Sequence, residues 1–163
     1  MRLLINIYME CYRKRVSNIQ IAMRICRHAG GIDVDGNIIK GEIIMKIAIP
    51  ASTNDMNSYV DSRFGRAKGF IIYDTDNGMN TWIPNQVSVQ STQGAGIQSA
   101  KSIIDAGADI VIAGNVGPKA YSLLKTNGID VYLCDVMPIN KAIENFNAGT
   151  LQKASDANVE GHW

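Results

Sequence analysis

The residues best suited to chemistry are two arginines in the run Asp61-Ser-Arg-Phe-Gly-Arg-Ala67 and two glycine pairs, Gly94-Ala-Gly96 and Gly114-Asn-Val-Gly117. Each glycine pair precedes a helical pattern, so its backbone N–H groups are open to an anion, with the positive end of the helix dipole behind them. Arg63 and Arg66 supply cations whose forked donors suit oxyanions or sulfide. Each feature has an ordinary structural explanation, because glycines make tight turns throughout α/β proteins and arginines lie on surfaces. The Gly-x-Gly here lacks the third glycine and later acid of a dinucleotide fingerprint, and no Gly-Lys-Ser/Thr marks a phosphate loop. The argument for a receptor is convergence: Ser52, Arg63, Gly65, Arg66, Gly94, Gly96, Gly114, Asn115 and Gly117 all fall at the ends of expected strands.

Other chemistries are poorly supplied. The two histidines are His28 and the penultimate His162, so a Ser–His–Asp or Cys–His arrangement has little to draw on. Asp55, Asp61, Asp74 and Asp76 could be imagined as a carboxylate metal site, but Asp74 and Asp76 flank a turn, where Asp bonds its own backbone. Cys11, Cys26 and Cys134 lack Cys-x-x-Cys spacing and suggest neither a disulfide framework nor a zinc site. Cys134 ends a strand at the glycine-rich edge, so its thiolate is a candidate iron ligand; the alternative is a small buried apolar residue. His162 is a second candidate ligand or part of a loose tail.

The elements that must position these residues follow from pattern. Met45-Lys-Ile-Ala-Ile-Pro50 reads as a short buried strand. Residues 70–75 and 79–84 read as a hairpin around Asp76-Asn77-Gly78, since Asn-Gly tolerates positive φ. Residues 85–93 are polar and without period, hence a loop. Helical spacing follows from Gly94 to Gly107, then a strand over 109–113, a helix over 118–126 begun by Pro118, a strand over 129–133, and a helix from Pro138 through Phe146. Leu151 to Trp163 is polar and expected to be loosely held. Alternating strands and helices predict parallel crossovers, so the fold class is α/β, with a mixed five-stranded sheet flanked by helices on both faces.

Apolar content of 46% and charged content of 19% suit a globular domain. A formal charge of +1 argues against a dedicated nucleic-acid surface or a polybasic membrane patch. Residues 1–44 carry seven Lys/Arg against four acids, and residues 45–163 nine against eleven, so the two parts differ in kind. Residues 3–27 suggest a basic helix and residues 32–44 a hairpin around Asp35-Gly36. The favoured reading is that 1–44 is translated upstream sequence, since Lys40-Gly41-Glu42 can be encoded by a purine-rich ribosome-binding sequence just before the Met45 codon. The alternative is a basic arm for a partner. No apolar stretch approaches ~20 residues and no cleavage site follows the start, so cytoplasmic residence is expected.

The run Asp61-Ser-Arg-Phe-Gly-Arg-Ala67, Gly94-Ala-Gly96 and Gly107-Ala-Asp-Ile-Val-Ile-Ala-Gly-Asn-Val-Gly-Pro118 together resemble the dinitrogenase iron–molybdenum cofactor biosynthesis family. This NifX-like domain also forms the C-terminal part of NifB proteins. The likeness covers residues 45–163 in order, including Gly128-Ile-Asp-Val131, Ala142-Ile-Glu-Asn-Phe-Asn-Ala-Gly149 and Val159-Glu-Gly-His-Trp163. It implies a ribonuclease H-like fold and a non-enzymatic carrier of an iron–sulfur or iron–molybdenum cofactor precursor. The cargo would pass between metallocluster donor and acceptor proteins, with the carrier a monomer or weak homodimer. A regulatory or scaffold module that binds a small anion or a protein without metal is the alternative. The chain lacks a cysteine-rich cluster motif, so cargo would rest on Cys134, His162, the arginines and backbone amides.

Overall fold

A computed structural model describes residues 45–85 and 94–157. The basic helix and hairpin expected before Met45, most of the 85–93 loop, and His162 lie outside the described residues. The chain from Met45 onward forms a compact unit of its own.

Six strands form one sheet: β1 (Lys46–Ala51), β2 (Gly69–Asp74), β3 (Asn80–Pro84), β4 (Ile110–Ala113), β5 (Asp130–Leu133) and β6 (Gln152–Lys153). Three helices accompany them: α1 (Ala95–Asp105), α2 (Pro118–Thr126) and α3 (Ile139–Asn147). The strand order is β3-β2-β1-β4-β5-β6. β1, β4 and β5 run parallel, and the β2–β3 hairpin adds antiparallel to β1. Every residue of β4 is buried, as is β1 apart from Lys46, which explains why both read as continuous apolar runs rather than alternations.

Alternation along β1 sends its side chains into two cores. Ala48 joins Phe64, Phe70, Ala100, Ile103, Ala120 and Leu124 beneath α1 and α2. Ile47 and Ile49 join Ile71, Ile112, Ile139 and Ile143 beneath α3. Ala95, Ser99, Ala100 and Ile103 make the buried stripe of α1, the spacing that a helix against a sheet requires. Truncating a fully buried residue such as Ile103 or Leu124 to alanine is expected to cost roughly 2–5 kcal/mol.

The sheet has one strand more than pattern alone predicts. β6 arises in the stretch expected to be a loose tail. It is two exposed polar residues long, so no periodicity announces it. Neighbours hold it instead: Lys153 Nζ lies 2.8 Å from Asp130 Oδ2, and the Tyr121 hydroxyl donates to the Ala154 carbonyl at 3.1 Å.

Among the described residues, no helix is long and apolar enough to cross a membrane.

Candidate functional site

From β1 the chain turns outward into β2 and β3, then returns to the other side of β1 as β4. This reversal opens a crevice at the carboxyl ends of β1 and β4, where α/β sheets receive ligands. Residues 60–66 cross the crevice. Val60 bridges to Ala51, the Asp61 N–H donates to the Pro50 carbonyl at 2.8 Å, and Arg63 pairs with Asn115. The Phe64 N–H donates to the Asn115 carbonyl at 3.2 Å. Phe64 itself is 1% exposed and packs on Phe70 with ring centroids 5.3 Å apart. That buried ring fixes the 3-10 turn Phe64–Arg66, which meets Asn115 through Arg63 and the start of α1 through Gly65.

The glycines serve different ends. A β-carbon on Gly65 would stand 2.9 Å from the Gly96 nitrogen, so Gly65 must be bare for the turn to meet the start of α1, whereas a β-carbon on Gly96 would meet Ala120 Cβ at 3.3 Å. The Gly96 amide therefore faces Gly65 and is less open than its sequence position suggests. Gly94 caps α1 with φ +78°, a conformation that disfavours a side chain. A β-carbon on Gly114 would press on Ser62 at 3.1 Å. Gly117 is unlike these: its φ is −72° and nothing lies within 4 Å of an added β-carbon.

Ser52 is exposed just beyond β1, its Oγ 3.5 Å from Asp61 Oδ2. The other oxygen of Asp61 accepts the Arg63 N–H at 2.9 Å and shapes the turn. The Arg63 side chain is exposed and makes no hydrogen bond or ion pair with the described residues.

A cleft of about 150 Å³ opens between these walls, lined by Val60, Ser62, Gly114, Asn115, Cys134, Asp135 and Val136. Pattern reading did not select Val60, Ser62, Asp135 or Val136. Ser62 sits inside the arginine motif and could have been suspected from its neighbours, whereas Asp135-Val136 follows β5 without periodicity. Burial, and then the neighbouring Asp135 charge, push the Cys134 thiol up to about 11, so it is protonated at neutral pH. Among the described residues, no three His, Cys, Asp or Glu gather as a metal site. Asp74 and Asp76 stay together at the β2–β3 turn, where an Asp74 carboxylate oxygen accepts the Asp76 N–H. Neither arginine lines the cleft, whose charged residue is Asp135; with Cys134 its single thiol, the lining does not fit a cluster wrapped in thiolates.

The sequence profile of the dinitrogenase iron-molybdenum cofactor family matches residues 45–149, which span the whole rim. The chain belongs to this family. Relatives of the dinitrogenase iron-molybdenum cofactor family include an uncharacterized protein of Methanocaldococcus jannaschii, 37% identical over 112 residues, covering 68% of this chain and 92% of that one. Among solved structures, the apo form of the orange protein from Desulfovibrio gigas is 32% identical with a TM-score of 0.69, covering 71% of this chain and 98% of that one. A putative NifB protein from Thermotoga, solved by NMR and assigned to the DUF35 family, is 34% identical with a TM-score of 0.64, covering 72% and 99%. Membership in the dinitrogenase iron-molybdenum cofactor family supports a general carrier or scaffold role connected with metallocluster assembly.

Proposed function

We propose that the rim receives an anionic iron–sulfur or iron–molybdenum cofactor precursor and carries it between a donor and an acceptor protein, without catalysis. What supports this reading is the pairing of Arg63 with Asn115 and the close approach of Gly65 to Gly96, which bring the arginine turn to both glycine turns, together with an exposed Arg63 guanidinium that bonds to none of the described residues. A guanidinium and bare amides hold a delocalised negative charge without bonding to metal. The residues assigned to the cargo are Ser52, Arg63, Gly65, Arg66, Gly94, Gly96, Gly114, Asn115 and Gly117. Of these, Gly117 is the glycine that neither φ nor close packing requires.

Cys134 is the thiol among the described residues, and forming a bond from it to iron would release its proton. The cargo therefore rests on outer contacts, which suits transfer. Within the family we assign the chain to the small NifX-like or NifB C-terminal-like members. Its order of an antiparallel hairpin followed by alternating parallel strands supports a ribonuclease H-like arrangement. Cytoplasmic residence and a monomer or weak homodimer complete the reading.

The family likeness alone also supports a scaffold that binds a small anion or a protein and never meets metal. Anaerobic reconstitution with ferrous iron and sulfide separates the two. The carrier reading expects visible absorption and bound iron after gel filtration; a colourless, iron-free protein favours the scaffold.

A further inference from the structure

We infer that the buried Asn85–Ser99 pair is the positioning device of the rim, holding the arginine turn in register with the start of α1; this rests on the reading of that rim as a cluster receptor. Asn85 and Ser99 are 3% and 0% exposed, the buried polar side chains among the described residues. An amide placed in an apolar core must find partners for its donors and acceptor. Here it does. Asn85 Nδ2 donates to the Ala67 carbonyl and to Ser99 Oγ, each at 3.0 Å, and Ser99 Oγ lies 3.2 Å from Asn85 Oδ1. The Asn85 N–H donates to the Lys68 carbonyl at 2.9 Å.

Each contact reaches a different support of the rim. Ala67 closes the turn, its N–H donating to the Arg63 carbonyl at 3.0 Å. Ser99 stands about one turn into α1 from Gly96. The two surfaces that meet above them, Gly65 and Gly96, are bare backbone with no side chains to interlock. Such a contact permits close approach but does little to resist sliding of α1 along its axis. Hydrogen bonds are directional, whereas an apolar pair of equal volume would fill the same space without fixing the offset. The polar pair therefore supplies what the glycine contact lacks.

The test compares Asn85→Ala and Ser99→Ala with Ile143→Ala, a core truncation on the buried face of α3. Each full-length variant is reconstituted anaerobically with ferrous iron and sulfide, and iron retained per folded chain is measured. Backbone amide shifts of Gly65, Arg66 and Gly96 are recorded without metal. Both polar variants are expected to displace these amides and to retain iron on the order of tenfold more weakly, as loss of supporting contacts does around metal sites. Asn85→Ala should act more strongly than Ser99→Ala, which keeps the bond to Ala67. Ile143→Ala should lose stability yet keep wild-type amide positions and retention. Unmoved amides, or retention equal to that of Ile143→Ala at matched stability, would overturn the inference. If wild type itself retains no iron, the carrier reading falls, and amide displacement alone decides the positioning role. If Asn85→Ala does not fold, Ser99→Ala carries the comparison.

Discussion

Gly65 lies with its α-carbon against the backbone of Gly96, so close that a β-carbon on the first would stand 2.9 Å from the nitrogen of the second and 3.0 Å from its Cα. One glycine belongs to the turn that carries the arginines, the other to the first turn of α1. Their contact brings a side-chain cation source and a helix start to one place. Its cost is sensitivity to any added atom.

Gly65→Ala is therefore expected to lose roughly 1–3 kcal/mol of stability, the range for overpacking a tight contact, measured by urea denaturation. Gly117→Ala should stay within about 0.5 kcal/mol of wild type, since its backbone suits alanine and the space is open. The same Gly117 variant should weaken cluster retention. A destabilised Gly117→Ala, or a neutral Gly65→Ala, would contradict the division of roles among the glycines.

Cys134 provides a test in pH. Its folded thiol is raised to about 11 from an ordinary 9.0, chiefly by burial and then by Asp135. The native state thus holds this proton more tightly than the unfolded chain does. The stability linked to it is intact below about pH 9 and is lost as pH climbs toward about 11. After discounting for partial exposure, wild type should lose about 1–2 kcal/mol relative to Cys134→Ser between about pH 8 and about pH 11. Parallel pH profiles of the two proteins would show that the thiol is not buried as described.

Both described cores lie wholly within residues 45–157. A chain that begins at Met45 should fold cooperatively, with a thermal midpoint matching the full-length protein in calorimetry. A broad or absent transition would mean that residues 1–44 complete the domain.

Much of the framework was legible in the sequence because its signals are local. Asn77-Gly78 announced the hairpin, Pro118 the start of α2, and the apolar run 110–113 a strand covered on both faces. The convergence of Arg63 and Asn115 was reached through the general placement of ligands at strand ends. What escaped notice depends on contacts distant in sequence. β6 exists through Asp130 and Tyr121, neither of which alters the pattern of residues 152–153. Asn85 read as the first residue of a polar loop, and only the fold shows its amide turned inward onto Ala67 and Ser99. The roles of glycines were equally hidden, because a missing side chain looks the same whether it frees φ, admits a neighbour or leaves room for a ligand.

Retention should also respond to salt. A cargo held by outer charge contacts at an exposed rim loses attraction as ionic strength shortens the Debye length from ~10 Å at 0.1 M to ~3 Å at 1 M. Iron retained after gel filtration should fall across that range, and should fall less in Arg63→Ala, which has one charge contact fewer. Retention independent of salt would indicate direct bonds to metal instead.

The most direct measurement is iron retained per chain by Arg63→Ala against wild type after anaerobic reconstitution with ferrous iron and sulfide. The Arg63 side chain is exposed and bonds to none of the described residues, so its removal should leave the thermal midpoint unchanged. The account predicts a clear loss of bound iron and visible absorption in the variant at unchanged stability. Equal retention in the two proteins would contradict it.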